Sequence, residues 1–123
     1  MEYPISEILD RYSIAVLKKQ RLDADNDIEL KDLSEVIEDY KIINSQVIET
    51  YIDKLITING EIWDLESDIR KGREGELGLE EVGRRAIKIR EFNKIRVGYK
   101  NIIVETFGEG YKDVKMNHAS SDV

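Results

Sequence analysis

The sequence predicts an all-α protein: a long antiparallel helical hairpin with a shorter N-terminal helix against it, assembling into an oligomeric helical bundle. Three observations point there. Apolar residues recur at steps of three and four, charged residues make up 37% of the chain, and its 123 residues include a single proline. Such steps mark one face of a helix, and long helices carry wide polar faces that charged side chains fill.

The first helix is expected over residues 6–22. Pro4 precedes it, Ser6 is a suitable N-cap, and Ile5, Ile8, Leu9, Tyr12, Ala15 and Val16 follow at helical spacing. "DADND", 23–27, reads as a connection, because Asp and Asn favour turns. Asn26 and Glu29 form a capping pair for the next helix.

The second helix is the long one, over residues 28–71. Leu30, Leu33, Ile37, Tyr40, Ile43, Val47, Tyr51, Leu55, Ile58, Ile62, Leu65 and Ile69 advance by about 3.5 residues, the coiled-coil period. Ile48, Ile52, Ile56 and Trp63 make a second stripe beside this seam. Together they widen the apolar arc to about half the circumference, more than one neighbour covers. A continuous rod of that span is ~65 Å long. Its exposed apolar surface predicts a homo-oligomer, dimeric or higher, with Ile52, Ile56 and Trp63 at the interface. Asn59–Gly60 is the one point where a kink is expected.

"KGREGELG", 71–78, closes that helix, with Gly72 suited to the C′ position. Gly78 then serves as N-cap for a third helix over 79–107. Leu77 and Val82 stand in staple positions, and Glu80 and Glu81 place negative charge in the first turn. Residues 1–107 are expected to form one helical domain, and 108–123 a tail. Folding about residue 75 sets Asp68 near Arg84 and Asp64 near Lys88, so the acidic and basic flanks of the hairpin meet.

Composition excludes several chemistries. No cysteine is present, which removes disulfides and thiolate sites. His118 is the only histidine and lies in the tail, so a histidine relay elsewhere and a ferritin-like di-iron centre are ruled out. No apolar run has the length of a membrane span, and "MEYPISEILD" lacks the pattern of a signal peptide. A cytoplasmic protein with no membrane partner is expected.

The net charge of −7 argues against nucleic acid as a partner. It is unevenly spread: residues 1–69 hold 7 bases against 17 acids, and residues 70–123 hold 12 against 9.

Three constellations carry candidate chemistry. Glu61, Asp64 and Asp68 share one polar side of the second helix, as a magnesium site would require, and equally as a solvated flank would. "EVIE" at Glu35–Glu38 and "EIWD" at Glu61–Asp64 match the form E-x-x-E…E-x-x-D of the all-helical nucleoside-triphosphate pyrophosphohydrolases of the MazG type. The resemblance implies Mg²⁺ and a nucleotide substrate. In one unbroken helix Glu35 and Glu61 stand ~39 Å apart, so the site would need a subunit interface. No cofactor is expected otherwise.

The third constellation is polar. Asn93, Arg96 and Lys100 intrude on the apolar arc of the third helix, with Asn93 set beside Asn59. These residues form either a buried polar layer that fixes register, centred on Asn59 and Asn93, or an anion site. Arg84, Arg85, Lys88, Arg96 and Lys100 are the anion-binding candidates, and a nucleic acid along this helix is the polymeric version of that reading.

"NGEIWDLESDIR", 59–70, followed by "RRAIKIREFNKIR", 84–96, and preceded by "ISEILDRYSIAVLKKQRL" resembles an uncharacterised family of short all-helical proteins of marine bacteriophages and bacteria. The resemblance implies an all-α fold and a phage setting, and carries over no activity and no catalytic residue. The primary expectation is therefore a non-enzymatic assembly or protein-interaction protein, with a host or phage protein as partner class. A metal-dependent hydrolase and an anion-binding protein are the alternatives.

Overall fold

A computed structural model describes residues 3–70 and 74–109, the side chains of 74–76 excepted. Three helices follow in order: α1 (Ile5–Leu22), α2 (Asp27–Asp68) and α3 (Glu74–Phe107), with no strand among the described residues. The fold is all-α. The position expected for Gly72, the end of the long helix at 71, and the tail beyond 109 with His118 lie outside the described residues.

The continuous rod does not form. Asn44 leaves helical conformation at φ −155°, ψ 85°, and its side-chain Oδ1 accepts a hydrogen bond from the Val47 amide at 3.1 Å. That is the geometry of an N-cap, so a new helix starts at Ser45.

Two contacts show that the chain doubles back there. Asn26 donates from Nδ2 to the Ala15 carbonyl at 3.0 Å, and a Cβ placed on Gly60 would lie 3.6 Å from a Leu17 methyl. Covalent reach through these contacts keeps Asn26 and Gly60 within about 25 Å. A straight helix would hold them about 51 Å apart. Residues 27–43 therefore run back along α1, and residues 45–68 return parallel to it.

α3 then runs antiparallel to the second half of α2. Arg85 meets Asp68 at 2.5 Å, Tyr99 stacks edge-on against Tyr51, and Phe107 packs edge-on against Tyr40. The result is four helical segments around one core. Ile5, Leu9 and Leu17 of α1, Ile37, Ile48 and Leu55 of α2, and Ile103 of α3 are essentially sealed from solvent.

The reversal changes what covers the apolar arc. Ile48, Leu55, Ile58 and Ile62 are buried within the monomer, and Ile52 packs half-buried against the same core. The second half of α2 is thus covered by the chain itself, whereas Ile28, Val36, Ile42 and Ile43 of its first half stay exposed.

Local features follow from single residues. Asp23 ends α1 in the left-handed region at φ 50°, which Asp tolerates in turns. Asn26 does not cap α2 with its side chain; its amide clasps the Ala15 carbonyl of α1 instead, with a longer contact to Glu29. Gly78 interrupts α3 at φ 80°, ψ 158°, a region essentially restricted to glycine.

Asn59–Gly60 is helical, not kinked. The glycine serves close packing, since a Cβ there would stand 3.0 Å from the Arg21 guanidinium. Gly108 stops α3, and Glu109 beyond it accepts from the Tyr40 hydroxyl at 2.6 Å and the Ile5 amide at 3.3 Å. At least this part of the expected tail is tied to the first two helices.

Candidate functional site

The polar centre of the molecule is Asp10. It projects from the inner face of α1, with 3% of its surface exposed, beside Ser6 and Ser13. Arg96 of α3 grips it with two parallel hydrogen bonds, Nε to Oδ1 at 3.0 Å and Nη2 to Oδ2 at 2.8 Å. From α2, Asn59 donates both amide hydrogens, one to Asp10 Oδ1 at 3.0 Å and one to Ser13 Oγ at 2.8 Å. The Ser13 hydroxyl donates in turn to the Asp10 backbone carbonyl at 2.6 Å. Lys100 stands 3.9 Å from Asp10 Oδ2 while paired to Glu7 at 2.7 Å. Asn93 accepts from Arg96 Nη1 at 3.1 Å.

These bonds decide the charge state of Asp10. Burial alone pushes its carboxyl up; the Arg96 hydrogen bonds and charge, the Asn59 amide and Lys100 outweigh that and hold it below the ordinary carboxylate value. The group is an ionised anchor joining three helices. A carboxylate held this firmly as an anion is a poor general base at neutral pH.

A cavity of about 400 Å³ opens beside the anchor. Asn59, Asn93 and Arg96 form its polar floor, and Ile14, Leu17 and Ile62 one apolar side. Trp63 and Glu66 of α2, with Arg70 just past its end, complete the lining. The volume falls in the range of small-molecule sites.

The residues expected from sequence divide into those the fold joins and those it keeps apart. Asn59, buried, and Asn93, half-buried, are linked through Arg96 and Asp10, and Asp10 is the hub. The polar stripe Ser6–Asp10–Ser13 at steps of four and three lay within the apolar inner face of α1, and that spacing was the signal available. Trp63 is half-buried on the cavity wall, and Ile52 and Ile56 are half-buried along α2.

The basic residues of α3 are mostly engaged. Arg84 pairs with Glu80 and Glu81, Arg85 with Glu81 and Asp68, Arg96 with Asp10, and Lys100 with Glu7. Lys88 is exposed. The Arg84 hydrogen bond, aided by Arg85, lowers the Glu81 carboxyl. A strip of bases so neutralised offers less attraction to a polyanion than its composition suggested.

The carboxylates do not converge. Glu35 pairs with Lys31, Glu38 with Lys41, Asp64 with Arg21 and Asp68 with Arg85, while Glu61 edges a separate groove with Asp53 and Tyr99. A reversal at residue 44 pairs positions whose numbers sum to roughly 88, which sets "EVIE" two turns or more from "EIWD" along the axis. Among the described residues no group of three or more Asp, Glu, His or Cys is arranged to hold a metal ion. No described helix is long and apolar enough to cross a membrane.

Comparison of the chain with family models, curated proteins and solved structures gives no match.

Proposed function

We propose that the protein is a non-enzymatic helical binding protein that holds a small ligand in the cavity at the α1–α2–α3 junction. The observation that carries this reading is the 93%-buried Asn59 on the cavity floor. Its amide hydrogens are both spent on Asp10 and Ser13, and no described residue donates to its Oδ1. Turning the carboxamide over would press its oxygen against the Asp10 carboxylate, so the orientation is fixed. That oxygen is not sealed from solvent, so a donor on a ligand in the cavity would take the place of water there.

Trp63 is the only tryptophan, and it lies on the wall, so the protein reports its own occupancy. Screening small polar molecules by Trp63 emission and melting temperature tests the reading. A saturable emission change with a raised Tm is expected for at least one class. A panel that moves neither would end it.

A second reading, self-assembly, has its own observation. Ile87, Ile95 and Ile102 lie exposed along the outer side of α3, and the mid-helix Gly98 between the last two has open space where a Cβ would sit. Glycine within a helix costs about 0.5–1 kcal/mol relative to alanine, which close approach of another helix would justify. Sedimentation equilibrium at micromolar concentration checks it: an oligomer that Ile95→Glu converts to monomer supports assembly, and a monomeric parent chain removes it.

A further inference from the structure

We propose that the exposed stripe of α3 docks on the acidic outer face of residues 27–43 of α2 in a second copy of this chain. This rests on the self-assembly reading and names the surface that α3 meets.

The two faces look outward and differ in charge. On α3, Ile87, Ile95 and Ile102 lie exposed around Gly98, and the helical period sets Lys88 on one side of them and Lys94 on the other. Glu91, the one acid between these lysines, has Arg90 next to it in sequence. On α2, Ile28, Asp32, Glu35, Asp39 and Ile42 advance by four, three, four and three, and all five are exposed. That is the step of a seam against a neighbouring helix, here with carboxylates between apolar ends. Leu33, Ile37 and Tyr40 of the same segment pack on the core of their own chain, so the seam faces away from it.

The charges needed for docking are not spent inside the chain. Glu35 is bonded to Lys31, Glu38 to Lys41, and Arg84 to Glu80 and Glu81. Lys88, Lys94, Asp32 and Asp39 form no ion pair with a described residue; Lys31 feels the charge of Asp32 but holds Glu35. Their spacing agrees as well. Asp32 to Asp39 spans about 10.5 Å along its helix and Lys88 to Lys94 about 9 Å, so two cross-pairs form at once.

Like-with-like contact is disfavoured by the same charges. Pairing α3 with α3 sets lysines against lysines, and pairing the two α2 faces sets a row of acids against itself. Pairing α3 with α2 matches them, and the open space at Gly98 admits a branched side chain of the partner. The contact joins two different patches, so it is heterologous, and each copy offers one patch of each kind.

Sedimentation equilibrium of the full chain and of two variants, Asp32→Lys/Asp39→Lys and Lys88→Glu/Lys94→Glu, tests this. The parent should self-associate at micromolar concentration, several-fold more weakly at high salt. Each variant alone should associate at least about tenfold more weakly, because its two faces then carry the same sign. Mixed in equal amounts the variants should regain the parent's affinity, through one contact of the native kind and one with both signs reversed. Restored association also shows that both chains are folded. Where a reversal lowers helicity, Asp32→Asn/Asp39→Asn and Lys88→Gln/Lys94→Gln serve instead: combined in one chain they should cost about as much as either alone.

Loss confined to one variant would overturn this pairing, the lysine variant alone pointing to α3 against α3. Variants that both associate like the parent, or a mixture no tighter than its parts, would overturn it too and leave assembly to other surfaces. A parent chain that stays monomeric would remove the self-assembly reading itself.

Discussion

Two arginine–carboxylate clusters do different work in this molecule. At the junction, Arg96 grips an Asp10 side chain only 4% exposed, and Asn59 and Lys100 complete its surroundings. Near the start of α3, Arg84 pairs with Glu80 and Glu81 while 61% of its own side chain faces water. The chemistry is the same and the solvent is not. Buried, the pair is costly to break, because removing one partner strands the other in low dielectric. Exposed, water and salt replace the lost partner. The first cluster fixes how three helices meet, and the second decorates a surface.

The comparison can be broken most directly at Asp10. Asp10→Ala should destabilise the fold by about 3–5 kcal/mol, measured by urea unfolding, because Arg96 and Asn59 both lose their acceptor. A cost below 1 kcal/mol would show that the junction behaves like the surface cluster.

Asn59→Ala comes next, at about 1–3 kcal/mol, since it leaves one Asp10 oxygen less satisfied and opens a void beside Ser13. Acid should expose the same contrast. The folded Asp10 carboxyl lies below its unfolded value, so its contribution is present above the ordinary carboxylate range and is lost as pH falls through the folded value. The unfolding free energy should therefore drop below about pH 4. Asp10→Asn should flatten that drop, and an unchanged pH profile in this variant would argue against the anchor.

Asn44→Ala touches neither cluster. It removes the cap on the second half of α2 and should cost about 0.5–2 kcal/mol. Arg84→Ala should be the smallest, about 0–1 kcal/mol and vanishing at high salt. A larger effect would mean that the exposed cluster holds this stretch of α3 more firmly than its solvent contact implies.

Parts of this arrangement were readable residue by residue. The glycine at 78 announced its break, because positive φ suits glycine and few other residues. Asn59 and Asn93 stood out as polar residues near apolar stripes, and both connect to the Asp10–Arg96 pair. Asn44 was harder to read. "INSQ" sits inside an unbroken apolar rhythm, and an Asn–Ser pair is tolerated in a helix interior about as readily as it caps one. Asp10 was hidden for a related reason, since an acid on an amphipathic helix is normally assigned to the wet side.

The sequence by itself determined that the chain is helical, roughly where the helices begin and end apart from the break at Asn44, and which chemistries its residue types rule out. Those properties depend on neighbours within a few positions, where capping, glycine conformation and the 3.6-residue period act. Only the tertiary structure decided that α2 doubles back at Asn44, that Ile48, Leu55, Ile58 and Ile62 are covered within one chain, and that Asp10 meets Arg96 across 86 positions. Such choices depend on which distant surfaces exclude water together, and the same local periodicity is satisfied by a straight rod or a folded pair.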